Sequence, residues 1–103
     1  MNRRSRKLNE LYYLFVTTNR ERTTLEISTT GDLNGKIRQL EYDAEKNDPC
    51  ICSKLLYWEV FNDLEQAIVR EKSMKGWTVR KLTQVIDSEN PYWLCLNEEI
   101  SQL

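Results

Sequence analysis

Leu11-Tyr12-Tyr13-Leu14-Phe15-Val16-Thr17-Thr18, then the polar turn Asn19-Arg20-Glu21-Arg22, then Thr23-Thr24-Leu25-Glu26-Ile27-Ser28-Thr29, is the stretch that decides the fold. The first run is aromatic and β-branched, and it is apolar at odd and even positions alike. That pattern predicts a strand covered on both faces, at the centre of a sheet. The second run alternates, with Leu25 and Ile27 on one face and Glu26 and Ser28 on the other. It predicts a half-exposed strand paired with the first in an antiparallel hairpin.

Working outward, Thr30-Gly31-Asp32 predicts a turn and a helix start, and Leu33, Ile37, Leu40 and Ala44 recur at helical spacing. Asn47-Asp48-Pro49 stops that helix. Lys54-Leu55-Leu56-Tyr57-Trp58-Glu59-Val60-Phe61 predicts the third strand. Asn62-Asp63 supplies an N-cap for a helix through Lys75, with Glu65 in its first turn and Gly76 at its end. Thr78 caps a third helix with the stripe Val79, Leu82, Val85 and Ile86, closed by Asn90-Pro91. The order β-β-α-β-α-α predicts an α+β fold, a small three-stranded sheet, antiparallel or mixed, flanked by helices. One domain over residues 11–95 is expected, with a basic N-terminal tail at 1–10 and a C-terminal tail at 96–103. Tyr92, Trp93 and Leu94 should dock on the body, and Trp58, Trp77 and Trp93 are read as packing residues rather than stacking platforms for bases.

Glu71 breaks the pattern. At about 100° per residue it shares a helix face with Leu64, Ala67 and Ile68, the stripe expected to pack inward. A buried carboxylate costs several kcal/mol unless it is paired or bound to a metal. An ion pair with Lys36 or Arg38 and a metal ligand are the two readings.

Composition narrows the chemistry. Histidine is absent, so no histidine base can act in this chain. Cys50, Cys52 and Cys95 are an odd set without metal-site spacing, which argues against a disulfide framework and a zinc site. The basic start Met1-Asn2-Arg3-Arg4-Ser5-Arg6-Lys7 is not followed by the apolar core of a secretory signal, and no apolar run would span a membrane. A cytoplasmic location is the expectation. The net charge of −1 offers no general attraction to nucleic acid, yet Arg70, Lys72, Lys75, Arg80 and Lys81 form a local basic group. A phosphate contact and a solvated helix face are its two readings.

Phe61-Asn62-Asp63-Leu64-Glu65-Gln66-Ala67-Ile68-Val69-Arg70-Glu71-Lys72-Ser73-Met74-Lys75-Gly76-Trp77 resembles a segment of the GIY-YIG nuclease superfamily. The nearest group is the short stand-alone bacterial proteins related to the N-terminal domain of the excinuclease C subunit. Tyr13-Leu14-Phe15-Val16-Thr17-Thr18-Asn19, Gly31-Asp32-Leu33 and Glu89-Asn90-Pro91-Tyr92-Trp93 add to the resemblance, which covers residues 11–95. It implies a metal-binding glutamate at Glu71 and a supporting asparagine at Asn90. Elsewhere the motifs are altered. Phe15 stands where the first motif has tyrosine; Glu26 and Ser28 stand at the tyrosine and glycine of the second. Lys36 stands where the family has its catalytic arginine, and Leu40 where histidine is frequent.

Such nucleases cleave a phosphodiester with one divalent metal, here Mg²⁺ or Mn²⁺, a fixed cation and a tyrosine oxygen that helps activate water. Phe15 cannot move a proton. Lys36 keeps charge but loses the planar fork of arginine. Glu26 places a negative charge where phosphate should approach, or serves as a second metal ligand. Losses of this kind in a cooperative site leave little activity. The resemblance therefore implies a catalytically impaired GIY-YIG-like domain that binds DNA, through Lys36, Arg70, Lys72, Lys75 and Arg80, or interacts with a protein. The alternative is a divergent metal-dependent endonuclease of DNA repair or recombination, with Glu71 on the metal and Lys36 on the phosphate.

Overall fold

A computed structural model describes residues 10–103, so most of the expected N-terminal tail lies outside the described residues. The elements are β1 (Tyr12–Thr18), β2 (Leu25–Thr30), α1 (Leu33–Lys46), β3 (Lys54–Phe61), α2 (Leu64–Lys75) and α3 (Val79–Glu89), with a short 3₁₀ turn at Glu99–Gln102. The fold is α+β in the expected order. The sheet runs β2-β1-β3 and is antiparallel throughout.

β1 is central because it is apolar on both faces. Leu14 and Val16 face α2 and α3, with Ile27, Met74, Leu82 and Ile86. Phe15 faces α1 and the 3₁₀ turn, with Leu33, Ile37, Leu55 and Ile100. Full burial of each such side chain contributes about 1.5–3 kcal/mol, so both layers stabilise the sheet. Between Val16 and Thr17 the register against β3 slips by one residue. This irregularity places the consecutive residues Leu56 and Tyr57 in the same α2–α3 layer, while Leu55 is buried in the α1 layer.

Caps fall where side-chain chemistry placed them. Asp32 accepts from the Gly35 amide at 3.0 Å, Asp63 from Glu65 at 3.0 Å and Thr78 from Lys81 at 3.1 Å. Gly35 leaves room for its cap: a Cβ there would stand 2.3 Å from the Asp32 carboxylate, which would have to turn away. β2 starts at Leu25 rather than Thr23, because the Asn19 side chain takes the Thr23 and Thr24 amides at 2.9 and 3.1 Å and holds them in the turn.

Two stripes differ from expectation. On α2, Ala67 and Met74 are buried, whereas Leu64 and Ile68 are 44% and 40% exposed. The helix is rotated so that Arg70 and Glu71 straddle its inner side. On α3, Leu82 and Ile86 are buried while Val79 is exposed. The stretch 96–103, set apart as a tail in the sequence, contributes Ile100 to the α1 layer. Among the described residues no helix is long and apolar enough to cross a membrane.

Candidate functional site

Glu71 is one turn from the end of α2, above the edge strand β2. One carboxylate oxygen accepts from the Thr29 hydroxyl at 2.5 Å, and the other lies 2.7 Å from the Lys75 ammonium. The expected pairing with Lys36 or Arg38 is therefore corrected. Arg38 binds Glu41 and the Asn97 carbonyl, at 2.7 and 2.9 Å. Lys36 is exposed on α1, on the far side of the sheet. The reason is distance along the helix: Lys75 follows Glu71 by four residues, one turn away on the same face. Burial opposes ionisation of Glu71, but the hydrogen bonds from Lys75 and Thr29, with the Lys75 charge, outweigh it and hold its carboxyl below the usual range.

The other residues of the expected site do not gather around Glu71. Phe15 and Ser28 are cross-strand partners, so they share a face, and Phe15 is buried in the α1 layer. Glu26 alternates onto that same face, away from Thr29. Leu40 packs at the margin of the α1 layer. Strand alternation thus turns Glu26 away from Glu71.

Asn90 is committed to structure. Its amide nitrogen donates to the Leu56 and Leu94 carbonyls at 3.0 and 2.9 Å, and its oxygen accepts from the Leu94 amide at 2.9 Å. It caps α3 and ties the following turn to β3. Asn97, which the sequence reading did not single out, does the same further along. It accepts from the Leu55 amide at 2.8 Å and donates to Glu41 and the Ser53 carbonyl at 2.6 and 2.9 Å.

A second carboxylate also escaped the sequence reading. Glu59 on β3 accepts both arms of Arg70, at 3.0 and 2.9 Å, and the Tyr57 hydroxyl. Burial works against its charge, yet Arg70 and Tyr57 keep its carboxyl below the usual range. Burial and the bond to Glu59 push the Tyr57 phenol up to about 12. Arg70 also lies 5.1 Å from the centre of the Trp77 ring, and the Lys81 ammonium lies 4.4 Å from it. The available signal was alternation: Tyr57, Glu59 and Phe61 share one face of β3, so a carboxylate there sits between two aromatics.

These arrangements do not fit a divalent metal. Mg²⁺ can be held by one or two carboxylates and water. The Glu71 oxygen it would take is already 2.7 Å from an ammonium. Among the described residues no three histidine, cysteine, aspartate or glutamate side chains converge. The chemistry open to the Glu71 cluster is hydrogen bonding and charge compensation.

Comparison with protein-family models, with curated proteins and with solved structures finds no match. The cations proposed for phosphate divide between two sides of the sheet: Lys36 on the α1 side, and Lys72, Lys75 and Arg80 on the α2–α3 side. Arg70 is neutralised by Glu59. Lys72, Arg80 and Lys81 are exposed around the α2–α3 junction, beside Trp77.

Proposed function

We propose that this chain is a non-cleaving binding module, a GIY-YIG-like domain whose catalytic centre is degenerate, with DNA as its ligand. One observation carries the reading: the Glu71 carboxylate is closed by Lys75 and Thr29, with Phe15 on the opposite face of the sheet. A nuclease of this type needs that carboxylate open to a metal and within reach of a tyrosine hydroxyl. The basic junction formed by Lys72, Arg80 and Lys81 supplies the surface for phosphate, and it is separate from the closed carboxylate.

The test is incubation with branched, nicked and plasmid DNA, with Mg²⁺ or Mn²⁺, beside Glu71→Ala. The expected result is intact DNA and a gel shift that weakens with salt. Lys72→Ala and Arg80→Ala should each lower the salt slope by about 1. Cleavage that disappears in Glu71→Ala would overturn the reading in favour of a divergent metal-dependent endonuclease. Absence of any DNA retention would overturn the choice of ligand.

A further inference from the structure

The two edges of the sheet are treated differently. The β3 edge is covered, because Leu96 donates to the Leu55 carbonyl at 2.8 Å and Asn97 and Asn90 bind the neighbouring backbone. The β2 edge is open. Among the described residues, no turn, loop or cap hydrogen bond reaches the backbone of Leu25–Thr30. Alternate residues therefore turn free amides and carbonyls outward. Edge strands are commonly protected by lysine, proline or a bulge. β2 has none of these, and its one charge is Glu26. Both ends of the edge are fixed. Asn19 holds the Thr23 and Thr24 amides in the turn, and the Thr30 hydroxyl takes the Asp32 amide at the start of α1.

A groove of about 640 Å³ runs along that edge on the α2–α3 side. Leu25 to Ser28 form one wall; Met74, Trp77, Val79 and Leu82 give the other an apolar lining. The helices thus stand back from β2, and a strand laid against it has room for apolar side chains on this side. The alternate side chains of such a strand point to the other face, where Glu26 is exposed and Ser28 half-buried. There the occupant must not set a second carboxylate opposite Glu26, because like charges directly across a strand pair are destabilising.

We propose that the occupant is a second copy of this chain, its β2 paired antiparallel with β2 about a twofold axis through Ile27, so that the two sheets join into one. The interface is isologous, the same strand on both copies. Residues opposite each other in an antiparallel pair share a face, so an axis perpendicular to the sheet pairs only residues of equal parity. Every such register also sets outward amides against outward carbonyls. Centred on Glu26, the two carboxylates oppose each other. Centred on Ser28, Leu25 falls opposite Gly31 and its side chain stays uncovered. Centred on Ile27, Leu25 and Thr29 pair in both directions and Ile27 meets Ile27, all on the side of the two grooves. On the other face Glu26 lies opposite Ser28, whose hydroxyl donates to it. The edge thus complements itself in one register. None of Lys72, Lys75, Arg80 and Lys81 takes part, so the inference goes beyond the DNA reading and holds or fails apart from it.

The test uses the full chain. Sedimentation equilibrium over a dilution series should show monomer and dimer in exchange, with the dimer populated by about 1 mM. In a mixture of ¹³C-labelled and unlabelled protein, isotope-filtered NOEs should join Leu25 to Thr29, and Ile27 to Ile27, of the other copy. Ser28→Lys places an ammonium opposite Glu26 twice in each dimer and should lower the dissociation constant about fivefold; Ser28→Glu should raise it by a similar factor. The lysine substitution decides the register, because an axis through residue 28 would set the two ammoniums against each other. Three results would overturn the proposal: a protein still monomeric at about 1 mM, a dimer whose intermolecular NOEs avoid β2, or a dissociation constant that Ser28→Lys leaves unchanged or raises. The first two are read on the unsubstituted chain, so they stand even where a variant fails to fold.

Discussion

Glu59 and Glu71 are built from the same parts and held to different degrees. Each carboxylate has one hydroxyl and one cation: Tyr57 and Arg70 for Glu59, Thr29 and Lys75 for Glu71. They sit on either side of α2, because Arg70 and Glu71 are consecutive and project to opposite edges of the sheet. Glu59 is gripped by both arms of a planar guanidinium, with its phenol partner in the core. Glu71 is held at one point by a flexible ammonium that is 55% exposed. The difference teaches that the carboxylate expected to be the functional one is a modest surface pair, while the stronger polar lock lies on the other edge.

The largest effect should come from Glu59→Ala. It strands a buried phenol and releases Arg70 from Trp77 as well, so a loss of about 2 kcal/mol is expected in urea unfolding. Glu71→Ala should cost about 1 kcal/mol or less, because Lys75 simply turns to water. Equal losses would break the comparison.

Tyr57→Phe should come next, at about 1 kcal/mol. It has an alkaline signature. A phenol raised to about 12 in the fold, from an ordinary 10.0, contributes stability that is present below 10 and is lost as pH rises through 12. Tyrosine absorbance should show one late-ionising phenol, absent from Tyr57→Phe.

Acid pH gives a smaller contrast. Both carboxyls are held below their ordinary 4.5, so each contributes stability above that value and loses it as pH falls through the lower folded value. Glu59→Gln should flatten the acid limb of a stability–pH curve more than Glu71→Gln. Lys75→Met should have the least effect, about 0.5 kcal/mol, measured by thermal unfolding.

The elements were readable because their signals are local. Apolar residues at both parities in Leu14-Phe15-Val16 announced a central strand, and Asp32, Asp63 and Thr78 announced helix starts by their capping oxygens. The partner of Glu71 was equally local: glutamate four residues before lysine is a helical pair, but attention to a distant site pointed to Lys36 instead. Glu59 was missed because a charge on a strand reads as an exposed face until its parity with Tyr57 and Phe61 is counted. Asn97 could not be read at all. Its three bonds depend on how the last turn returns to β3, and nothing within its own neighbourhood encodes that return.

The central claim is that Lys75 and Thr29, not a metal, compensate Glu71. The direct test is the titration of the Glu71 side-chain carboxyl carbon by NMR, with and without Mg²⁺. The account predicts a midpoint below the ordinary glutamate value that Mg²⁺ leaves in place and that rises in Lys75→Met. A midpoint that Mg²⁺ drives lower, with no response to Lys75→Met, would contradict it.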